Sequence, residues 1–328
     1  MIIQFLHPGT EMYFSPRSIK NGIAYKFNSG NKSGLRCWNN EKSHKRKFMK
    51  SGGWYLQRGN GSKNLILKRG DIYFWGEWEP QSEFDLTGYE FSSQPSMPFA
   101  VHTPVFSPKY KGGSNTDPYV FGKTFYYTNC KQTKYKILRE LEENSIVIFG
   151  SEKERRAFVV DTVFVVDTGE LLPEAEKHIE EYPKLLREVT LELHKNGLNR
   201  DSCFYRGKMF DTTKKTFSLD SNEIFSFVPC KPAAQKNGIF ERPDLDIKKF
   251  CLKKPGAYTG IKKIDGCETH FTYWKNLVNE LLEKGLSLGV RIDEPAEVDN
   301  KKFADCKILK KNSCTNSRSK KTLKGCSC

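Results

Sequence analysis

The chain has 328 residues, 37% of them hydrophobic and 13% aromatic, enough apolar material for a core in one large domain or two ordinary ones. Ten scattered cysteines form no Cys-x-x-Cys pair, which argues against a zinc ribbon or a redox motif, and no stretch approaches the roughly 18 apolar residues of a membrane helix. The formal charge of +15 points to a polyanionic partner, with an acidic protein surface as the other class such a charge can meet.

The opening run, residues 1–8 with His7 and Pro8 at its end, reads as a short strand. It lacks the basic start and long apolar stretch of a signal peptide, so the expected location is cytoplasmic or otherwise intracellular. Residues 23–27, 54–56 and 64–67 are short strand signals bounded by Gly, Asn and Ser. Between them, residues 39–53 carry Lys45-Arg46-Lys47 and end in Gly52-Gly53, which predicts a mobile basic loop. Residues 29–69 hold eleven Lys or Arg against Glu41 alone, a net of +10; residues 301–328 hold nine against Asp305, a net of +8. Charge confined to two segments is the footprint expected for nucleic acid, with Lys45, Arg46, Lys47, Arg58, Lys68 and Arg69 meeting phosphates. The plainer alternative is that basic loops keep the protein in solution.

Gly70-Asp71 reads as a turn that launches an aromatic strand ending at Pro80. On that strand Trp75, Glu77 and Glu79 share one face, while Phe74, Gly76 and Trp78 share the other. Two carboxylates beside an indole are costly to bury without partners. The segment is therefore a candidate site, with Glu77 and Glu79 as acid and base or as metal ligands, and Trp75 as a platform for a flat heterocycle. Alternatively, the strand is half-exposed and its acids pair with the basic residues at 45–50. Trp54, Tyr55, Trp75 and Trp78 lie near the basic segment, a mixture that suits single-stranded or flipped bases at about 1–3 kcal/mol per stacked base. The competing reading places these aromatics in the core.

Residues 81–117, with Pro95, Pro98, Pro104 and Pro108, predict an irregular binding or lid loop. Gly122-Lys123-Thr124 ends like a phosphate loop, but Asp117 stands where the leading glycine belongs. Asn129 and Gln132 sit where a strand meets a helix start and are candidate ligand-binding residues, although Asn129 can equally cap that helix. Cys130 as a nucleophile needs a lowered pKa and a nearby base, and the sequence names neither, because the six histidines stand apart. His178-Ile179-Glu180 lacks the Pro-Cys-x-x-Cys partner of a zinc deaminase, and no Gly-x-Ser-x-Gly elbow exists. No motif names a cofactor or a metal; the last four cysteines, Cys306, Cys314, Cys326 and Cys328, are the one cluster with ligand character.

A helix is predicted from Thr133, with Ile137, Leu138 and Leu141 on one face and residues 142–144 closing it. Residues 145–149 and 157–166 read as strands, the second too uniformly apolar for a sheet edge. Residues 173–196 read as helix interrupted at Pro183 and capped by Gly197, followed by strand signals at 203–205, 216–219 and 224–228. Residues 269–284 form the clearest helix, with Phe271, Trp274, Leu277, Val278, Leu281 and Leu282 in one stripe and Gly285 as its cap. After Pro295 the pattern fades, and residues 310–328 have the composition of a disordered tail.

Gly70-Asp71 and the strand after it, preceded by a Trp-Tyr strand and followed by the apolar run 158–166, resemble the barrel of PUA-like domains of the EVE, ASCH and YTH types. That resemblance implies recognition of RNA or of modified bases and assigns no cage residues here. The chain also resembles, more loosely, domains associated with nucleotide modification in bacteria and phages. The expected fold is α+β: a mostly antiparallel, barrel-like sheet over residues 1–170, a helical and short-strand region packed on it over 171–300, and a disordered basic tail over 301–328. The expected function is binding of DNA or RNA, with modified bases as the target in a defence or modification setting. Beside it stand an enzyme acting on nucleotides or nucleic acid through Glu77 and Glu79, and an interaction protein whose basic surface docks an acidic partner.

Overall fold

The computed structural model describes residues 1–7, 46–59, 64–80, 82–89, 96–106, 115–153, 157–191, 201–253, 260–266 and 268–298, with the backbone of four short strands between 19 and 35. In chain order the strands are β1 (Ile2–Leu6), β2 (Ile19–Lys20), β3 (Ile23–Ala24), β4 (Lys26–Ser29), β5 (Lys32–Leu35), β6 (Arg46–Arg58), β7 (Asn64–Glu77), β8 (Ser82–Leu86), β9 (Ala100–Phe106) and β10 (Tyr126–Tyr127). A 3-10 turn, Lys136–Arg139, leads to β11 (Ile146–Lys153) and β12 (Ala157–Leu171). Next come α1 (Leu172–Lys177), a second 3-10 turn (Ile179–Glu181) and α2 (Lys184–Val189). The remainder is β13 (Cys203–Gly207), β14 (Thr216–Ser218), β15 (Val228–Pro232), β16 (Asp244–Leu245), β17 (Ile261–Lys263), α3 (His270–Glu283), β18 (Ser287–Ile292) and β19 (Ala296–Glu297).

Apart from the two-stranded pairs β2–β3 and β4–β5, these strands form two large sheets. One runs β10-β13-β12-β11-β1-β17, with β16 also on β12; the other runs β14-β7-β15-β18-β6-β9-β19, with β8 on β9. Most pairs are antiparallel, but β1 lies parallel to β11, and β9 lies parallel to both β6 and β19. The molecule is thus sheet-rich, α+β in class, with mixed sheets.

Alternation explains why both sheets are covered twice. Along β1, Ile3 and Phe5 enter one core cluster, while Ile2 and Leu6 enter the other. The same split holds on β12, where Phe164 and Val166 face the first cluster and Val163 and Val165 the second. On β7, Phe74 joins the first and Trp75 the second. A strand apolar on both faces must be sandwiched, as the run at 158–166 predicts. The helix α3 closes the second cluster by burying Tyr273, Trp274, Leu277, Val278, Leu281 and Leu282. Thr269 caps it by accepting a hydrogen bond from Thr272 N (3.3 Å), and Gly285 ends it at φ +73°. Phe271, expected in the stripe, is partly exposed at 36%, and Tyr273 takes its place.

Four strands pair in a circuit: β6 with β7, β7 with β15, β15 with β18, and β18 with β6. Ile72 fills the space between them because glycines stand opposite it. A Cβ on Gly53 would lie 2.6 Å from Arg291 O, and one on Gly289 would lie 2.8 Å from Val228 Cγ2.

Several expectations are corrected. The predicted loop at 39–53 is strand from Arg46 onward, because Arg46 to Gly53 pair in register with Glu77 to Gly70. The same register runs straight through Gly70-Asp71, so these residues lie inside β7 and form no turn. Residues 81–117 are not wholly irregular, since β8 and β9 pair there. The helix expected from Thr133 shrinks to the 3-10 turn at Lys136–Arg139, the helix at 173–196 breaks into short pieces around Pro183, and the strand expected at 224–228 begins at Val228. The expected antiparallel barrel over residues 1–170 is not seen: the sheets are mixed, and the four-strand circuit draws β15 and β18 from beyond residue 170. Residue 170 falls within β12, and strands from both sides of it share each sheet. Gly197 and residues 299–328, with the tail and its four cysteines, lie outside the described residues. Among the described residues, no helix is long and apolar enough to cross a membrane.

Candidate active site

Two chain segments far apart in sequence meet at the end of β1. There His7 N donates to Gly150 O (2.8 Å), which extends the β1–β11 pairing by one bond, and the imidazole stacks on Phe5 with ring centroids 5.5 Å apart. The facing segment is the turn after β10. Its backbone wraps a buried carboxylate: Asp117 accepts from Thr128 N (3.1 Å), Asn129 N (2.9 Å) and Cys130 N (2.8 Å). Tyr127 donates its hydroxyl to Cys130 O (3.1 Å), and Lys131 adopts the left-handed conformation at φ 59°. Gln132 anchors the turn to β13 by donating to Cys203 O (2.9 Å) and accepting from Cys203 N (2.7 Å). Cys130 Sγ thereby sits 3.1 Å from His7 Nε2, and His7 Nδ1 sits 3.1 Å from Glu77 Oε2. All three side chains are buried.

The carboxylate behind the imidazole is held by a chain of charges that joins the two sheets. Arg46, directly across the hairpin from Glu77, donates one guanidinium nitrogen to Glu77 Oε2 and its Nε to Asp161 Oδ2 on β12 (2.7 Å). Arg242 donates to both oxygens of Asp161, at 2.7 and 2.6 Å from Nη2, and to Ser151 Oγ. Two buried guanidiniums therefore balance two buried carboxylates, the condition under which such charges are tolerated. Burial alone would lower the Arg46 pKa, but Glu77 and Asp161 outweigh it and raise the value.

These contacts fix the roles of the imidazole nitrogens. The Glu77 carboxylate can only accept, so Nδ1 carries the hydrogen and Nε2 turns its lone pair to the thiol. Burial pushes the Cys130 pKa well above its ordinary value, and the carboxylates of Asp117, Glu77 and Glu79 push the same way. The resting group is accordingly a thiol: of the two conditions for a nucleophile at Cys130, the lowered pKa is not met, and the nearby base is, in His7 Nε2 at 3.1 Å. Burial raises Asp117 to about 6, against the pull of the three N–H groups that it accepts. Burial also lowers the adjacent Lys131 to about 8, and its ammonium donates to Leu6 O (3.1 Å). Thr116 Oγ1 and Thr128 Oγ1 are buried beside Asp117 with no hydrogen-bond partner among the described residues.

The residues singled out from sequence divide sharply. Glu77 belongs to the site, but it orients His7 and does not pair with Glu79, whose carboxylate accepts from Asn115 N. Among the described residues, no three His, Cys, Asp or Glu side chains are grouped to hold a metal ion. Trp75 and Trp78 are core residues: Trp75 donates its indole N–H to Phe240 O (3.0 Å), and Trp78 packs edge-on against Phe121 at 5.0 Å. Tyr55 is also buried, which leaves no face for a base on any of the three. Gln132 spends its amide on Cys203, and Asn129 gives its backbone N–H to Asp117 without capping a helix, since Tyr135 occupies the cap of the 3-10 turn.

The phosphate-contact set is corrected as well. Arg46 and Lys47 are buried, Arg46 in the charge chain and Lys47 with its ammonium on Trp78 O and on Pro80 O (3.5 Å). Arg58, Lys68 and Arg69 are exposed, and Arg69 lies over the half-buried Trp54 ring at 5.5 Å. Lys45 lies outside the described residues. From sequence, His7 and Asp117 carry no role in a site, and Asp161 and Arg242 are not singled out. One signal was present: Asp161 interrupts the apolar run 158–166, and an acid in a strand buried on both faces demands a cationic partner. No protein-family model, curated protein or solved structure matches the chain.

Proposed function

We propose that this protein is a cysteine-dependent enzyme acting on a nucleotide or nucleic acid, with Cys130 as nucleophile, His7 as its base and Glu77 as the group that orients His7. The observation that carries the reading is the row Cys130 Sγ, His7 Nε2, His7 Nδ1, Glu77 Oε2, with 3.1 Å at each contact. A base within hydrogen-bond reach of the nucleophile, itself held by a third group, is the arrangement covalent catalysis requires. The choice of substrate class rests on the charge: residues 29–69 and 301–328 carry the excess of Lys and Arg.

Alkylation of the native protein by iodoacetamide, followed by mass spectrometry, tests the reading. Cys130 should be modified, and His7→Gln should slow that modification about 100-fold, the lower range of a general base's contribution. Exposed Cys251 supplies the internal control and should react at the same rate in both proteins. An unmodified Cys130, or a rate indifferent to His7, would sink the proposal.

A second reading is favoured by the distal half of the β6–β7 hairpin, where Trp54, Arg58, Lys68 and Arg69 present an aromatic and three exposed cations. This is the nucleic-acid-reading function that the PUA-like resemblance implies, with modified bases as candidates. It predicts salt-dependent binding of labelled single-stranded DNA or RNA that Trp54→Ala weakens; binding only to acidic proteins would point to a docking surface instead.

A further inference from the structure

We infer that Asn115 is a catalytic residue of this site, its side-chain amide binding the oxygen of a carbonyl that Cys130 attacks, and that Glu79 is the residue that positions it. This rests on the reading of Cys130 as the nucleophile and adds the substrate chemistry: an ester, thioester or amide carbonyl carried by the nucleotide or nucleic acid.

In acyl transfer the negative charge develops on the carbonyl oxygen, and the usual first donor is the nucleophile's own backbone N–H. Here that donor is taken. Cys130 N gives its hydrogen to Asp117 at 2.8 Å, and the N–H groups of Thr128 and Asn129 go to the same carboxylate. The ammonium of Lys131 is directed at Leu6 O, and the His7 ring faces the sulfur as a base. Among the described residues, the remaining donor at the sulfur is Asn115 Nδ2, 3.8 Å from Cys130 Sγ. A carbonyl carbon bonded to Sγ carries its oxygen to within about 3 Å of an amide so placed, the range of an oxyanion donor.

Asn115 is held for this use by its backbone. Its N–H donates to the Glu79 carboxylate, which follows β7 two residues after Glu77. One strand end thus supplies both supports, Glu77 for the base and Glu79 for the amide. Asn115 Oδ1 is buried with no hydrogen-bond partner among the described residues, so the amide is not committed to a structural bond on its acceptor side. Thr128 Oγ1, almost fully buried beside the same turn, is also without a partner among those residues.

Two probes of the full-length protein separate this role from a structural one. With 4-nitrophenyl acetate, Cys130 Sγ forms a bond to the carbonyl carbon and its proton passes to His7 Nε2. The carbonyl π pair moves onto oxygen, and its return expels 4-nitrophenolate, leaving an acetyl thioester. With iodoacetamide the sulfur displaces iodide from a saturated carbon, so no oxyanion forms. Mass spectrometry reads both products at Cys130.

Asn115→Ala should slow acetylation about 100-fold while leaving alkylation within about twofold, in keeping with the loss of one oxyanion donor. Glu79→Ala should lower the same ratio by a smaller factor, and Glu79→Gln should restore it, because an amide oxygen also accepts from Asn115 N. The alkylation rate doubles as the check on folding, and the Glu79 pair reaches the amide without altering it. Equal loss of both reactions in Asn115→Ala, or no loss of acetylation, overturns the role of Asn115. A wild-type Cys130 that alkylates but does not acetylate overturns the carbonyl assignment alone. Reaction with neither probe overturns the nucleophile itself and everything built on it.

Discussion

The two ends of one hairpin use the same side chains for opposite purposes. At the open end of β6–β7, Arg46 faces Glu77, and its guanidinium is enclosed between two carboxylates. In the distal half, Trp54 faces Arg69, and that guanidinium lies over an indole and reaches Asp293 on the surface at 3.0 Å. Burial decides what an arginine can do. In the enclosed case the charge cannot be screened or relaxed by water, so each partner fixes the geometry of the next, out to the His7 ring. In the exposed case the pair competes with water and salt, and the side chains remain usable for binding.

The sharpest way to break this comparison is to remove one carboxylate from each end. Asp161→Ala leaves Arg46 and Arg242 without their shared partner among buried side chains. Loss of one member of a buried ion cluster costs about 3–5 kcal/mol, so urea denaturation should show a drop of that size, or a protein that no longer folds. Asp293→Ala removes the exposed partner and should cost less than about 1 kcal/mol. Comparable losses at the two ends would refute the division between a buried end that fixes geometry and an exposed end that does not.

That division also explains how much of the molecule could be read in advance. Apolar runs announced β12 and the helix α3, because periodicity reports directly on burial. The hairpin was misread where glycines occur: Gly52-Gly53 and Gly70-Asp71 carry loop and turn chemistry, yet they pair with each other mid-strand, where Gly53 admits Ile72 and the backbone of Arg291. Basic residues at 45–47 suggested surface, since nothing local shows that Arg46 meets Asp161, 115 residues later. Of the site, Glu77 and Cys130 drew notice as residue types, but His7 lies 123 residues from the thiol it faces, and only the parallel pairing of β1 with β11 brings it there.

A smaller effect sharpens the picture of the buried end through pH. Asp117, fully enclosed, is raised by burial from 3.8 to about 6. Its folded pKa lies above its unfolded one, so the native state holds this proton more tightly. The resulting contribution is complete below pH 3.8 and is lost as pH rises through 6. A shift of this size corresponds to about 3 kcal/mol. The wild type minus Asp117→Asn difference in unfolding free energy, measured from pH 4 to 7, should therefore fall with rising pH. A flat difference would show that the three N–H groups compensate the burial fully.

The smallest expected effect belongs to the distal pair and tests whether that end is a surface for a polyanion at all. Arg69 is half exposed and shares Asp293 with solvent, so Arg69→Ala should cost only about 0.2–1 kcal/mol of stability, and less at high salt. If Arg69 meets a phosphate, the same substitution should weaken nucleic-acid binding nearly uniformly across sequences and reduce the slope of log K against log salt by about 1. Asp293→Ala should act in the other direction, because it frees the guanidinium from a competing carboxylate while leaving the cation in place. A salt slope unchanged by both substitutions would separate the two ends completely. The basic hairpin would then be solvated scaffold, and the polyanion, if the protein takes one, would have to be met beside Cys130 itself.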